Sequence, residues 1–368
     1  MTRPQAPRRA LRLWHRWFGL AAGLWLLLLA VTGGVITFYD ELDTALNRDL
    51  RTVTPASAAA PLDTVVANAQ AVLPDFAPSQ IDLPAHPGES LWMLGRATGP
   101  DGPMRVQVFS DPGDGRVLGW REPGRPSLDR RHVMDVIYSL HVDLLLGEWV
   151  TWLFGLVGLL WIADHFISLV LAVPRVARWR QAFMVAGKPG SLRRLYDLHR
   201  APGMWLFPVT LVLAVSGWVL AWPETTRSAA RAVTPVSERL HEHWPEIDPP
   251  QNPISLEQAM ATVAPRARID SVRPLPDHGV YAVRTYDRRD PDYQGRLWTY
   301  VSMTDGRIVA SRHDNGSGPG DAFFAWQYPL HSGQAFGLWG RIAVFVGGLA
   351  TAALALTGVW LWWRRRRV

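Results

Sequence analysis

Four long stretches nearly free of charge rule out most folds for this chain. Trp17–Tyr39, Ala201–Pro223 and Ile342–Trp363 run 22 or 23 residues without Asp, Glu, Lys or Arg, and Trp149–Val173 runs 25 with Asp164 and His165 as its ionisable residues. A bilayer core takes about 20 helical residues. Lipid offers no partner to backbone N–H and C=O groups, so stretches of this kind must be helices. The chain therefore reads as four membrane spans with sizeable loops. The first apolar run exceeds the roughly 7–15 residues of a secretory signal core and no A-x-A site follows it, so it is expected to remain as an anchor.

Basic residues orient the spans. Arg3, Arg8, Arg9, Arg12 and Arg16 precede the first, seven Lys or Arg between Arg175 and Arg200 join the second to the third, and Arg364–Arg367 follow the fourth. These 16, set against Asp197 alone, leave 22 of the 38 basic and 31 of the 32 acidic residues elsewhere, a balance of −9. Positive flanks stay inside, so both termini are expected in the cytoplasm. The expected order is a cytoplasmic N-terminus and span one (1–39), an exported domain (40–147), span two (148–174), a basic cytoplasmic loop (175–200), span three (201–223), a second exported domain (224–337), and span four with a basic tail (338–368). The high pI is then a topology signal and no sign of nucleic-acid binding. Cysteine is absent, which removes disulfides, thiolate metal sites, iron–sulfur clusters and C-x-x-C-H haem attachment.

The chain is written twice. Setting His15 on His199 aligns "HRWFGLAAGLWLLLLAVTGGVITF" with "HRAPGMWLFPVTLVLAVSGWVLAW", and "YSLHVDLLLGEW" (138–149) aligns with "YPLHSGQAFGLW" (328–339), pairing His141 with His331. "DGRVLG" (114–119) meets "DGRIVA" (305–310) between them. Span, exported domain, span is thus a unit used twice in parallel, and two helix pairs make one four-helix bundle. In the second half "ISLEQAMATVAP" reads as a helix opened by Ser255, with Glu257 and Gln258 in its first turn. "RIDSVRPL", "GVYAVRTYD", "RLWTYVSM" and "RIVASR" alternate like strands. The first half repeats this more loosely, with "LDTVVANAQAVL" as helix and "ESLWMLGRA", "MRVQVFSD" and "RVLGW" as strands. Each exported piece is expected to be a small α+β domain.

Of 11 histidines, His86, His278 and His313 sit in loop-like surroundings and read as solvated or hydrogen-bonded. "HEH" at 241–243 lies in a linker-like stretch and supplies two ligands, too few for a closed zinc site. His15 and His199 open spans at one depth, and His141 and His331 form a second equal-depth pair at the other face. Facing helices of a bundle are a familiar place for cofactor ligands; a capping histidine copied by the duplication is the alternative reading. Four imidazoles without cysteine suit non-covalent b-type haem better than zinc. His165, about 15 Å along its helix from Arg175, is an alternative ligand or a partner of Asp164. Arg16 and Arg200, each following a proposed ligand, are candidates for haem propionates, with simple membrane anchoring as the other reading. Walker, G-x-G-x-x-G, G-x-S-x-G and H-E-x-x-H motifs are missing.

The stretches "LWHRWFGL…LAVTGGVITFYDEL", "YSLHVDLLLGEW", "LYDLHRAPGMW…LAVSGWVLAWPE" and "YPLHSGQAFGLWGR", with the module at roughly 255–311, resemble the PepSY-associated transmembrane family. That family includes iron-regulated inner-membrane proteins and ferric-siderophore reductases of Gram-negative bacteria. The resemblance implies a multi-pass inner-membrane protein with two periplasmic PepSY-like domains. For the reductases it also implies two b-type haems carrying electrons to a periplasmic ferric siderophore. His15, His141, His199 and His331 fall on the recurring "HR" and "LH" positions. Span two departs from the pattern: "WIADHFISLVLAVPR" lacks the ending that span four keeps as "LTGVWLWWRR". The expected activity is thus a membrane-bound oxidoreductase that takes electrons from a donor the sequence does not name. A non-redox PepSY-containing binding or regulatory protein and a transporter are the alternatives.

Overall fold

The computed structural model describes residues 5–99, 102–173, 176–237, 244–292 and 294–367. The His-Glu-His stretch at 241–243 lies outside these described residues. In chain order, helices α1 (Gln5–Ile36), α2 (Tyr39–Leu46), α3 (Arg48–Arg51) and α4 (Leu62–Val72) lead into strands β1 (Ala77–Asp82), β2 (Leu91–Gly99), β3 (Gly102–Ser110) and β4 (Val117–Arg121). Helices α5 (Val133–Val142), α6 (Glu148–Ala172), α7 (Leu192–Trp205), α8 (Phe207–Ala221), α9 (Pro223–Arg231) and α10 (Leu256–Val263) follow. Strands β5 (Ile269–Leu275), β6 (Val280–Thr285), β7 (Leu297–Ser302) and β8 (Ile308–His313) precede helices α11 (Pro319–Ser332) and α12 (Gly337–Arg366). The chain forms two compact units, one helical (Met1–Phe38, Ile137–Ser228, Trp326–Val368) and one built on the sheet (Tyr39–Val136, Ala229–Ala325).

In the helical unit, three helices are long and apolar enough to cross a membrane, and a fourth span is available if α7 and α8, bent by 67° at their junction, count as one. Proline explains the bend: Pro208 has no N–H to donate and its ring crowds the carbonyl one turn back. Ser191 caps α7 by accepting from the Arg194 N–H, so His199 and Arg200 lie well inside a helix that begins ahead of the apolar run. Leu24, Val31, Phe166, Val170, Leu349 and Leu356 are exposed on the unit's surface, the pattern of helices that face hydrocarbon. Helix α1 packs along α12 and α6 along α8, so the principal contacts run across the two sequence repeats. Small residues permit this closeness: a Cβ on Gly348 would lie 3.0 Å from the Ala30 carbonyl oxygen.

The sheet unit is one antiparallel sheet of eight strands in the order β4-β3-β2-β1-β5-β6-β7-β8. Each repeat supplies four neighbouring strands, and Ile81 opposite Val272 with Asp82 opposite Ser271 welds the two sets. The two separate exported domains expected from the sequence are therefore two repeats sharing one sheet. A single apolar core runs beneath both, from Leu62, Val65, Met93 and Val108 to Ala259, Val263, Val283 and Val301. Helices α4 and α10 exchange caps. Asp63 accepts the Leu256 and Glu257 N–H groups at 3.0 and 3.2 Å, and Glu257 accepts the Leu62 N–H at 3.3 Å. Ser255 and Gln258 complete a capping box on α10, as its sequence suggests.

Candidate functional site

The helical unit brings the four histidines of the repeat together as two pairs. The rings of His15 on α1 and His199 on α7 have centroids 6.0 Å apart with planes inclined 59°. Those of His141 on α5 and His331 on α11 lie 6.2 Å apart at 52°. Helix α1 joins the two sites, because His15 lies 17 residues before Thr32, about 25 Å along the axis, and Thr32 contacts His141.

Three of the rings are held identically. His141 Nδ1 lies 3.1 Å from Thr32 Oγ1, His331 Nδ1 2.9 Å from Ser216 Oγ, and His199 Nδ1 3.0 Å from Thr357 Oγ1. Each hydroxyl already donates to the carbonyl one turn back: Thr32 to Leu28 at 2.8 Å, Ser216 to Val212 at 2.6 Å and Thr357 to Ala353 at 2.6 Å. With its proton so committed, the hydroxyl can only accept from the ring. Nδ1 therefore carries the hydrogen, and Nε2 keeps the lone pair that binds a metal. A glycine follows each hydroxyl residue, and the imidazole needs that space: a Cβ on Gly33 would meet His141 at 2.8 Å, one on Gly217 would meet His331 at 3.2 Å, and one on Gly358 would meet His199 at 3.3 Å.

The fourth histidine is held differently. His15 Nδ1 lies 3.1 and 2.9 Å from the two carboxylate oxygens of Asp164 on α6. The outcome for its tautomer is the same, since a carboxylate accepts the Nδ1 hydrogen and leaves Nε2 bare. The side-chain hydrogen bonds of all four rings are made at Nδ1, and the backbone carbonyls of Leu29, Leu354 and Leu213 add a bond to His141, His199 and His331.

His165 joins neither pair. Its Nδ1 donates to the Trp161 carbonyl at 2.8 Å and its Nε2 lies 3.0 Å from Thr210 Oγ1, so both ring nitrogens are engaged between α6 and α8. Asp164 reaches past it to His15. Arg200 is drawn inward, 2.7 Å from Asp197 and donating to the Gln181 and Met184 carbonyls. Arg16 is exposed with its guanidinium over Trp17. In the sheet unit, His313 is buried with Nδ1 accepting the Asn315 N–H and Nε2 donating to Asp290 at 2.9 Å. His278 binds the Pro245 carbonyl, and His86 stays exposed.

The loops after the paired histidines both carry residues of positive φ. After His331 the left-handed residue is Gly333, at φ 78°, where a Cβ would lie 2.5 Å from the Gly340 carbonyl oxygen. After His141 the positive φ values fall on Leu144 and Leu145, at 56° and 61°. A conformation that costs a branched residue roughly 1 kcal/mol or more is retained there, with Asp143 accepting the Leu145 N–H at 2.9 Å.

The residues present fit a bis-imidazole metal site. Each pair would offer a metal two neutral imidazole nitrogens from different helices, with ring centroids 6.0 and 6.2 Å apart. Among the described residues no three His, Asp or Glu side chains gather as a metal-binding group. Sequence reasoning missed the hydroxyl and glycine supports and the Asp164–His15 contact. The signal for the hydroxyl and glycine supports was present as "AVTG", "AVSG" and "ALTG" in spans one, three and four.

Apolar helices of membrane-crossing length, carrying two histidine pairs and joined in sequence to a two-repeat antiparallel sheet, define a membrane protein. The chain belongs to the PepSY-associated TM region family, which it matches over residues 12–365. No curated protein matches it.

Proposed function

We propose that this protein is a two-haem b electron carrier of the bacterial inner membrane that reduces a periplasmic ferric siderophore. The observation that carries this reading is the fixed tautomer: four imidazoles paired at 6.0 and 6.2 Å, each with Nδ1 hydrogen-bonded. A bound haem b would supply a one-electron Fe(III)/Fe(II) couple. His15 with His199, and His141 with His331, would hold the two groups. Thr32, Ser216, Thr357 and Asp164 orient the rings before binding, and Arg16 is available to a propionate. The apolar helices around the pairs exclude water.

In this reading the Arg-rich flanks are cytoplasmic, the helical unit is a four-helix bundle in the bilayer, and the two PepSY repeats of the sheet unit are periplasmic. A donor on the cytoplasmic side supplies one electron per ferric chelate. The reduced ion, with one charge fewer, is held more weakly by anionic oxygen ligands and leaves the chelate. Full-length protein purified from haem-replete cells should carry two b haems per chain and show α and β bands after dithionite. Anaerobic addition of a ferric hydroxamate to the reduced protein should restore the oxidised spectrum. A colourless protein overturns the redox reading, and a haem protein that the chelate leaves reduced overturns the substrate.

A further inference from the structure

We propose that Asp164 sets the redox order of the two sites, making His15–His199 the lower-potential one. The inference rests on the haem reading above and goes beyond it. Three of the four imidazoles donate to a neutral hydroxyl whose own proton is held by a backbone carbonyl. Only His15 donates to a carboxylate, and it meets both oxygens. Asp164 is 6% exposed in the middle of an apolar helix, a placement that costs a few kcal/mol unless the charge is partnered. Its hydrogen-bond partner among the described residues is His15.

Two effects follow, and both act in one direction. A carboxylate draws the Nδ1 hydrogen toward itself and makes Nε2 a stronger donor, which favours the ferric state. A full negative charge close to the site, in surroundings of low dielectric, also favours the more positive metal. The hydroxyls at the other three rings do neither. His15 and His199 lie toward the Arg-rich ends of their helices, where an electron enters in the proposed topology. A lower potential there and a higher one at His141–His331 makes transfer toward the exported face run downhill.

The test is an optical redox titration of the full-length protein, after haem content is fixed by the pyridine haemochrome assay, with EPR of the oxidised form. Wild type should titrate in two steps. Asp164→Asn should keep two haems, raise the lower midpoint toward the upper one, leave the upper unmoved, and shift one of two low-spin ferric signals. Asp164→Glu should return the midpoint toward wild type. Unmoved midpoints with both haems retained, or a shift confined to the upper step, overturns the proposal. Should Asp164→Asn lose a haem, Thr357→Asp decides, because it offers His199 a carboxylate at the same site: the lower midpoint falls further, or the proposal is overturned. Wild-type protein with no haem fails the haemochrome assay first and overturns the reading beneath.

Discussion

The buried Arg121–Asp43 cluster of the sheet unit and the paired histidines of the helical unit are partnered in opposite ways. In the sheet unit, Arg121 and Asp43 are nearly or fully buried and fully partnered. Arg121 donates to both Asp43 oxygens, to Gln107 and to the Arg131 carbonyl, and Asn47 adds a bond to Asp43. His313 likewise has both ring nitrogens engaged. In the helical unit the four paired histidines are anchored by side chains at Nδ1 alone. A buried network that closes on itself stabilises a fold. A ring held in one tautomer with a bare lone pair is suited to a ligand where a second such ring lies beside it; His132 of the sheet unit, whose Nδ1 binds Asp129 and whose buried Nε2 has no partner, is paired with no other histidine among the described residues.

The largest break in that comparison is loss of a paired ring. His331→Ala should remove one of two haem equivalents outright, whereas His165→Ala, whose nitrogens are both engaged, should keep both; pyridine haemochrome on the purified variants decides. Next in size is Asp43→Ala, which takes from the buried Arg121 its closest carboxylate and leaves it Asp135 at 4.0 Å. It should destabilise the sheet unit by about 3–5 kcal/mol, seen as earlier proteolysis and faster hydrogen exchange, with unchanged visible bands in the protein that remains folded.

A smaller effect falls where the two repeats join. Burial, with Asp270 nearby adding to it, pushes the Asp82 carboxyl up to about 6. The folded state then keeps a proton that the unfolded chain has already lost, so stability falls as pH rises from about 4 to about 6 and stays low above that. Asp82→Asn should match wild type near pH 4 and exceed it at pH 7 by no more than about 3 kcal/mol, measured by thermal melts across that range.

Thr32→Val tests the anchored side of the contrast. It removes the hydroxyl acceptor of His141 at nearly constant volume, leaving the Leu29 backbone, and should weaken retention of one haem by about 10–100-fold, read by competition with apomyoglobin. Smallest is Asp63→Ala, which uncaps α10 across the repeat and should cost about 1 kcal/mol, with haem content untouched.

Much of this was legible in the residues. Charge-free length marked the apolar helices, and alternation marked β2 to β8. Strand β1 escaped: its sequence, APSQID, holds one fully buried side chain, Ile81, and carries a proline and a bulge between Pro78 and Gln80. That strand joins the two repeats, so its absence from the reading produced two domains in place of one sheet. The bent α7–α8 pair escaped for a related reason. Pro208 was visible, but a proline inside an apolar run does not state how far the helix turns.

At the histidines, the duplication indicated which residues share a depth. It could not say whether His15 or His165 meets His199, because a duplicated depth is a position along one helix, whereas a pair depends on which helices lie side by side. Span two had dropped the hydroxyl-glycine support that the other spans keep, and no local pattern reveals that Asp164 takes its place, 149 residues from His15 in the chain.

The sequence by itself determined the apolar helices, the repeat, the absence of thiol chemistry and the four candidate imidazoles, because hydropathy, spacing and side-chain chemistry are properties of neighbouring residues. Tertiary structure alone decided the pairing of those imidazoles, the tautomer each one holds, the single sheet built from two repeats, and the carboxylate beneath one ring. Those depend on distances between residues a hundred or more apart, which packing fixes and local composition does not encode.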